Sequence, residues 1–350
     1  VLFFNFMNSS LVRRRPFLIT FFIFYLSLAC WENIYWSFQS SFHFVFLFGF
    51  SAIYFGFKPN LTWGNLLAFV LSSIFCMYSM SLGVPFVLGV LPLVVWYHLG
   101  PWALRNGQYW GVSTKLAVGA LVIFFALWQW MAQGSLGQGS IHPLAWPWTT
   151  AFWSHYLGVL GLGFGINSLK LAQLGGLFVL VIYCAFAIRL VRQFIKKEGG
   201  FNNGENLKWL AVGTGVLAAG ASISLGRGNF GSDQALATRY VEVSMMMIPF
   251  LVIALGDLSR LFSQMWQKRI MVLFFTLLFS GFFDSWDFMK YSRLHQSRLR
   301  DKDCLAQALE LNSEGDCPYY FPEALQSRLQ RAEELKVNFI EVLRKRDSRF

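Results

Sequence analysis

Charge is what this sequence has least of. Only 13% of its 350 residues are Asp, Glu, Lys or Arg, while 55% are hydrophobic and mean hydropathy is +0.47. Ordinary soluble domains carry about a quarter charged residues. A water-soluble globule of this composition would have too few polar side chains to cover its surface. That excludes a soluble enzyme, a disordered chain and a nucleic-acid-binding domain. Acidic residues are scarcer still over most of the length. Between Val1 and Phe283 they are Glu32, Glu198, Glu205, Asp233, Glu242 and Asp257 alone, and the other acids lie in 284–350. Histidine is sparse too. His43, His98, His142, His155 and His295 show no H-x-x-x-H or H-E-x-x-H spacing, so no metal signature is present. There is also no G-x-S-x-G motif.

What is abundant is aromatic and aliphatic. Thirty-eight Phe and 14 Trp fit lipid-facing helices with aromatic belts. A spanning helix needs about 20 mostly apolar residues. Apolar segments lie near 16–30, 41–57, 63–80, 82–97, 113–132, 174–191, 206–225, 240–257 and 269–283. The fold class that follows is all-α: a polytopic integral membrane bundle of about nine transmembrane helices over 1–283, followed by a charged helical tail at 284–350. The pair at 63–97 reads as a tight hairpin whose second half is kinked by Pro85 and Pro92, and 141–166 as a re-entrant or interfacial element. Arg13–Arg15 before Pro16–Ala29 resembles a signal peptide, read here as an uncleaved signal anchor. The opening V-L-F-F-N-F-M fits an alternative start or a shortened member of a longer family.

Loop charge gives the orientation. One set of alternate loops holds Arg13, Arg14, Arg15, Lys58, Arg105, Lys115, Arg189, Arg192, Lys196, Lys197, Lys208, Arg260, Lys268 and Arg269; the other holds Lys170, Arg227 and Arg239. Basic loops stay cytoplasmic, which places the N-terminus inside and the tail outside. The net charge of +11 is then loop bias and attraction to anionic lipid, not a sign of nucleic acid. In the exported tail, Cys304 and Cys317 are a candidate disulfide, and Leu325, Leu329, Ala332, Leu335 and Phe339 mark a helical face. Cys30, Cys76 and Cys184 read as packing residues.

The outward loops collect the polar residues. In 31–43, Glu32, Gln39 and His43 are interleaved with Trp31, Tyr35 and Trp36. A carboxylate among rings can have its pKa raised and act as a general base, and rings can stack on a sugar. An interfacial aromatic belt explains the same residues. In 226–240, Gly226, Gly228 and Gly231 surround Arg227, followed by Asp233, Arg239 and Tyr240. Glycines expose backbone N–H groups and Arg offers a donor fork for phosphate. A turn, with Arg239 paired to Asp233 or Glu242, is the plainer alternative. Glu242, just inside its span, is by default a functional candidate.

W-E-N-I-Y-W-S-F-Q at 31–39 and G-R-G-N-F-G…A-T-R-Y at 226–240 resemble motifs of largely uncharacterised bacterial polytopic membrane proteins, which also end in a two-cysteine tail. Those proteins are similar in architecture to GT-C-type glycosyltransferases, which transfer sugar from a polyprenyl-phosphate carrier outside the cytoplasm. Ser37 and Thr238 depart mildly from the pattern. The resemblance implies an enzyme of cell-envelope glycan assembly in the bacterial cytoplasmic membrane, with a lipid-linked sugar and a glycan acceptor as partners besides the bilayer. It implies no particular cofactor. Glu32 or Asp233 would deprotonate the acceptor hydroxyl; Arg227 and Arg239 would hold the lipid phosphate; Trp31, Tyr35 and Trp36 would line the sugar pocket, with Tyr240, Gln39 and His43 as further substrate-binding residues. In a shortened chain Glu32 would bind instead of acting as base. The alternatives are a transporter or flippase, and a non-catalytic membrane subunit.

Overall fold

A computed structural model describes residues 40–99, 109–132, 144–164, 168–195, 202–231, 235–236 and 240–285. All belong to one unit, Val1–Trp286, and the remaining Asp287–Phe350 lies outside the described residues. The described residues are helical and contain no strand. That follows from the composition: in a medium without water, backbone N–H and C=O groups must bond within the segment.

The helices are α1 (Ser40–Gly56), α2 (Trp63–Ser79), α3 (Gly83–Leu99), α4 (Tyr109–Ala132), α5 (Thr150–Gly161), α6 (Leu169–Ile195), α7 (Asn202–Arg227), α8 (Val241–Met245), α9 (Met247–Ser259) and α10 (Gln264–Ser285). Among the described residues, four stretches are long and apolar enough to cross a membrane: Gly111–Gln129, Leu169–Phe194, Gly204–Phe230 and Val241–Ser259. Helices α1, α2 and α3 are apolar but shorter, at 17 residues each. At 1.5 Å per residue each reaches about 26 Å, just under the roughly 30 Å hydrocarbon core. Helix α5 has 12 residues and is too short to cross. The segment expected at 16–30 lies outside the described residues, as does the tail with its expected helical face.

The bundle is layered. In Val241–Ser259, 89% of the window is buried inside the protein, against 17% in Gly111–Gln129. Helices α8 and α9 are therefore central and α4 peripheral. Leu121, Phe124, Phe125 and Trp128 of α4 point outward, as do Leu174 and Val181 of α6. Water would not tolerate so continuous an apolar surface. Together with the candidate spans, it marks a helical membrane protein. At the centre Phe250 packs on Phe186 and Tyr183. Helices α5 and α6 touch backbone to backbone: a Cβ on Gly161 would lie 1.8 Å from the carbonyl oxygen of Ala172, and one on Gly176 2.0 Å from that of Leu157.

Two details differ from the sequence reading. Pro85 falls in the first turn of α3, where the missing N–H has no carbonyl to meet, so only Pro92 lies in the helix interior. Cys76 is a packing residue, its thiol directed at the Val45 carbonyl at 3.3 Å, but Cys184 is exposed on the outer surface of α6.

Contacts sort the basic residues to one end of the bundle. Lys115 Nζ donates to the Leu61 carbonyl at 2.9 Å, His98 Nε2 meets the Gly56 carbonyl at 2.8 Å, and Trp96 packs on Phe194. At the same end Arg189 Nε lies 2.7 Å from Asp257 Oδ2, and Arg260 lies 3.7 Å from the other carboxylate oxygen. Lys208 pairs with Glu205 one turn away.

Candidate functional site

The opposite end is built where α1, α5, α7 and α8 converge. Helix α7 is Gly- and Ala-rich and runs unbroken to Arg227. Helix α5 starts from a Thr149 cap, whose hydroxyl accepts from the Phe152 N–H at 3.3 Å. The strand of chain before it is tied to α7 by an Ala145 N–H bond to the Leu225 carbonyl at 2.8 Å. Helix α8 is fixed from within, because Ser244 Oγ donates to the Val159 carbonyl of α5.

His155 is fully buried at this junction. Its Nδ1 lies 3.1 Å from Ser224 Oγ, and Ser224 Oγ lies 3.0 Å from the Gly220 carbonyl. A hydroxyl has one proton, and the carbonyl can only accept. Ser224 therefore donates to Gly220 and accepts from His155, which fixes the Nδ1–H tautomer. Nε2 is left buried with no hydrogen-bond partner. The Tyr240 ring meets the imidazole edge-on, with centroids 6.2 Å apart. Burial, and after it the Arg227 charge, push the His155 pKa down to about 4. The ring is neutral at pH 7.

Glu242 is 2% exposed on α8, and its Oε1 lies 3.5 Å from His43 Nε2 on α1. The contact joins the first described helix to the central one. Arg227 is exposed, with its guanidinium 5.2 Å from the Phe230 ring centroid. Beside this loop, Trp146 and Trp148 stack with ring centroids 5.0 Å apart and planes within 5°, both exposed. Trp153 donates its indole N–H to the Pro147 carbonyl at 2.7 Å.

The expected site residues fare unequally. Arg227, Tyr240 and His43 are described, and all three lie at this end. Tyr240 is buried against His155; His43 reaches the Glu242 carboxylate. Glu32, Trp31, Tyr35, Trp36, Gln39, Asp233 and Arg239 lie outside the described residues, and so do Cys304 and Cys317. The glycines of 226–231 divide by role. A Cβ on Gly228 would meet that of Ala145 at 2.7 Å, and Gly231 has φ +110°, so these two serve packing and the turn. Gly226 and Gly231 both face open space.

Sequence reasoning missed His155 and Ser224 as site residues. They are 69 positions apart and share no motif, and Ser224 sits in an unremarkable A-S-I-S-L run. The one available signal was a histidine inside a semi-polar segment between spans. Among the described residues no group of three or more His, Cys, Asp or Glu could hold a metal ion. Compared with protein-family models, with curated proteins and with solved structures, the chain has no match.

Proposed function

We propose that this protein is a glycosyltransferase-like membrane enzyme, acting on lipid-linked sugars at the extracytoplasmic face in cell-envelope glycan assembly. The observation that supports it is the polar cluster at one end of an apolar bundle: buried His155, Tyr240 and Glu242, with His43 and the exposed Arg227 beside them. Ionisable groups at membrane depth are costly, and by default they mark function. In this reading Arg227, joined by Arg239, holds the carrier phosphate through its donor fork. The acceptor oxygen bonds to the sugar's anomeric carbon as the carbon–oxygen bond to phosphate breaks. The acceptor proton passes to Glu32 or Asp233, and the polyprenyl phosphate leaves. The aromatic side chains of 31–43 line the sugar site. The protein lies in the bacterial cytoplasmic membrane, with its N-terminus inside and its tail, carrying a Cys304–Cys317 disulfide, outside.

The test is reconstitution in liposomes with a polyprenyl-phosphate-linked sugar. The reading requires saturable binding that Arg227→Ala and Arg239→Ala each weaken. Unchanged binding in both variants refutes it, and movement of the lipid-linked sugar across the bilayer with no transfer would replace it with a flippase.

A further inference from the structure

His155 Nε2, in this cluster, is sealed from solvent and has no hydrogen-bond partner. A buried nitrogen of that kind costs stability unless something occupies it at some stage. Its other nitrogen is already committed. Nδ1–H donates to Ser224, whose own proton goes to Gly220, and this arrangement suits the neutral and the cationic ring equally. Protonation at Nε2 would therefore disturb no existing bond and would create one free donor. The fixed charge that acts on the ring is Arg227, an exposed guanidinium three residues beyond Ser224 at the end of the same helix.

We propose that His155 and Arg227 form a proton-coupled phosphate site, in which anion binding draws a proton from water onto Nε2 and the new N–H donates to a phosphate oxygen. The proposal rests on the lipid-phosphate reading and assigns it a second ligand. Empty, the site holds the ring neutral, because burial and the guanidinium both disfavour the imidazolium. An anion beside both cancels the Arg227 charge and adds attraction of its own, which opposes the remaining burial penalty and favours the imidazolium. Of the other titratable groups on packed elements, Tyr240 contributes a ring edge, Glu242 lies two residues further on at the start of α8, and Lys170 is exposed at the start of α6. Tyr183 and Cys184 of α6 bear on Tyr156 instead. During sugar transfer the same N–H would stabilise charge that grows on the departing phosphate.

Full-length protein in phosphatidylcholine nanodiscs, titrated with geranyl phosphate by calorimetry in two buffers of different ionisation enthalpy, tests this. The proposal predicts proton uptake near pH 7 beyond that of the phosphate itself. His155→Asn abolishes the excess uptake, and affinity in that variant no longer rises as pH falls from about 7.5 to 5.5. Arg227→Ala weakens binding about tenfold, the scale of one charge-assisted bond. Ser224→Ala, which keeps the histidine, reduces the uptake and guards against a misfolded His155 variant. Equal uptake in wild type, His155→Asn and Ser224→Ala overturns the proposal. Inorganic phosphate is the second arm. If it binds with His155-dependent uptake while geranyl phosphate does not bind, the site stands and the lipid-carrier reading falls. If geranyl phosphate binds with no His155 dependence, the reading survives and the proton-coupled site does not. Binding of neither overturns both.

Discussion

The two ends of the bundle use their polar residues differently. At the basic end, charges are matched: Arg189 and Arg260 share Asp257, and Lys208 has Glu205. At the other end, a buried imidazole has an unpartnered nitrogen, a guanidinium stands exposed over a ring, and a buried carboxylate meets a histidine. The first arrangement clamps helix α6 to helix α9. Among the described residues, the second has no such arginine–aspartate ion-pair clamp between spans; buried atoms without a hydrogen bond occur at both ends, Gln193 Oε1 at the first and His155 Nε2 at the second. The proposed lipid-phosphate site draws on this contrast at the Arg227 end.

The contrast can be broken by mutation. The largest effect is expected at the clamp. Asp257→Ala leaves Arg189 without its partner in a mostly buried position and should cost about 3–5 kcal/mol, seen as a large fall in melting temperature in detergent. A change near zero would show that the pair is not structural. Next is Gly228→Val, which drives a side chain into Ala145 and the Ala151 carbonyl, at roughly 1–3 kcal/mol, while Gly226→Ala, facing open space, should leave melting unchanged. Equal effects at the two glycines would contradict the division of roles drawn above.

The third effect is a pH dependence. Helix α5 does not span, and His155 in the folded protein titrates at about 4, below its ordinary 6.5. As pH falls, the unfolded chain takes the proton first. This contribution to stability is therefore complete above about pH 6.5 and is lost as pH falls towards 4. His155→Asn should flatten the melting-temperature profile in that window, and a profile that stays steep assigns the loss elsewhere. The smallest effect is at the indole pair: Trp148→Ala, on an exposed ring, should shift stability by no more than about 0.5 kcal/mol. If Trp146 and Trp148 only anchor the protein at the interface, the variant also leaves lipid-linked sugar binding unchanged; a loss of binding brings the pair into the site.

The helices were legible because burial in lipid requires long apolar runs, and those runs appear directly in the sequence. Their ends were not. Helix α6 extends from Leu169 to Ile195, past the 174–191 run, because Lys170, Arg189 and Arg192 continue the helix while directing their charges to its ends. The cluster was legible in part. Arg227 and Tyr240 stand out as polar residues where an apolar chain turns. The bond between His155 and Ser224 joins helices far apart in sequence, and no local period encodes such a meeting. Glycine spacing in G-R-G-N-F-G signalled a special backbone, but only the structure separates its causes: close packing on Ala145 and Ala151 at Gly228 and a positive φ at Gly231.

The account depends on the two ends facing opposite sides of the membrane. Single cysteines at Asn229 and Phe262, both exposed, can be labelled in intact cells with a membrane-impermeant maleimide. Asn229→Cys should be modified without lysis and Phe262→Cys only after it. The reverse pattern would put Arg227 and His155 in the cytosol and contradict an extracytoplasmic sugar-transfer site.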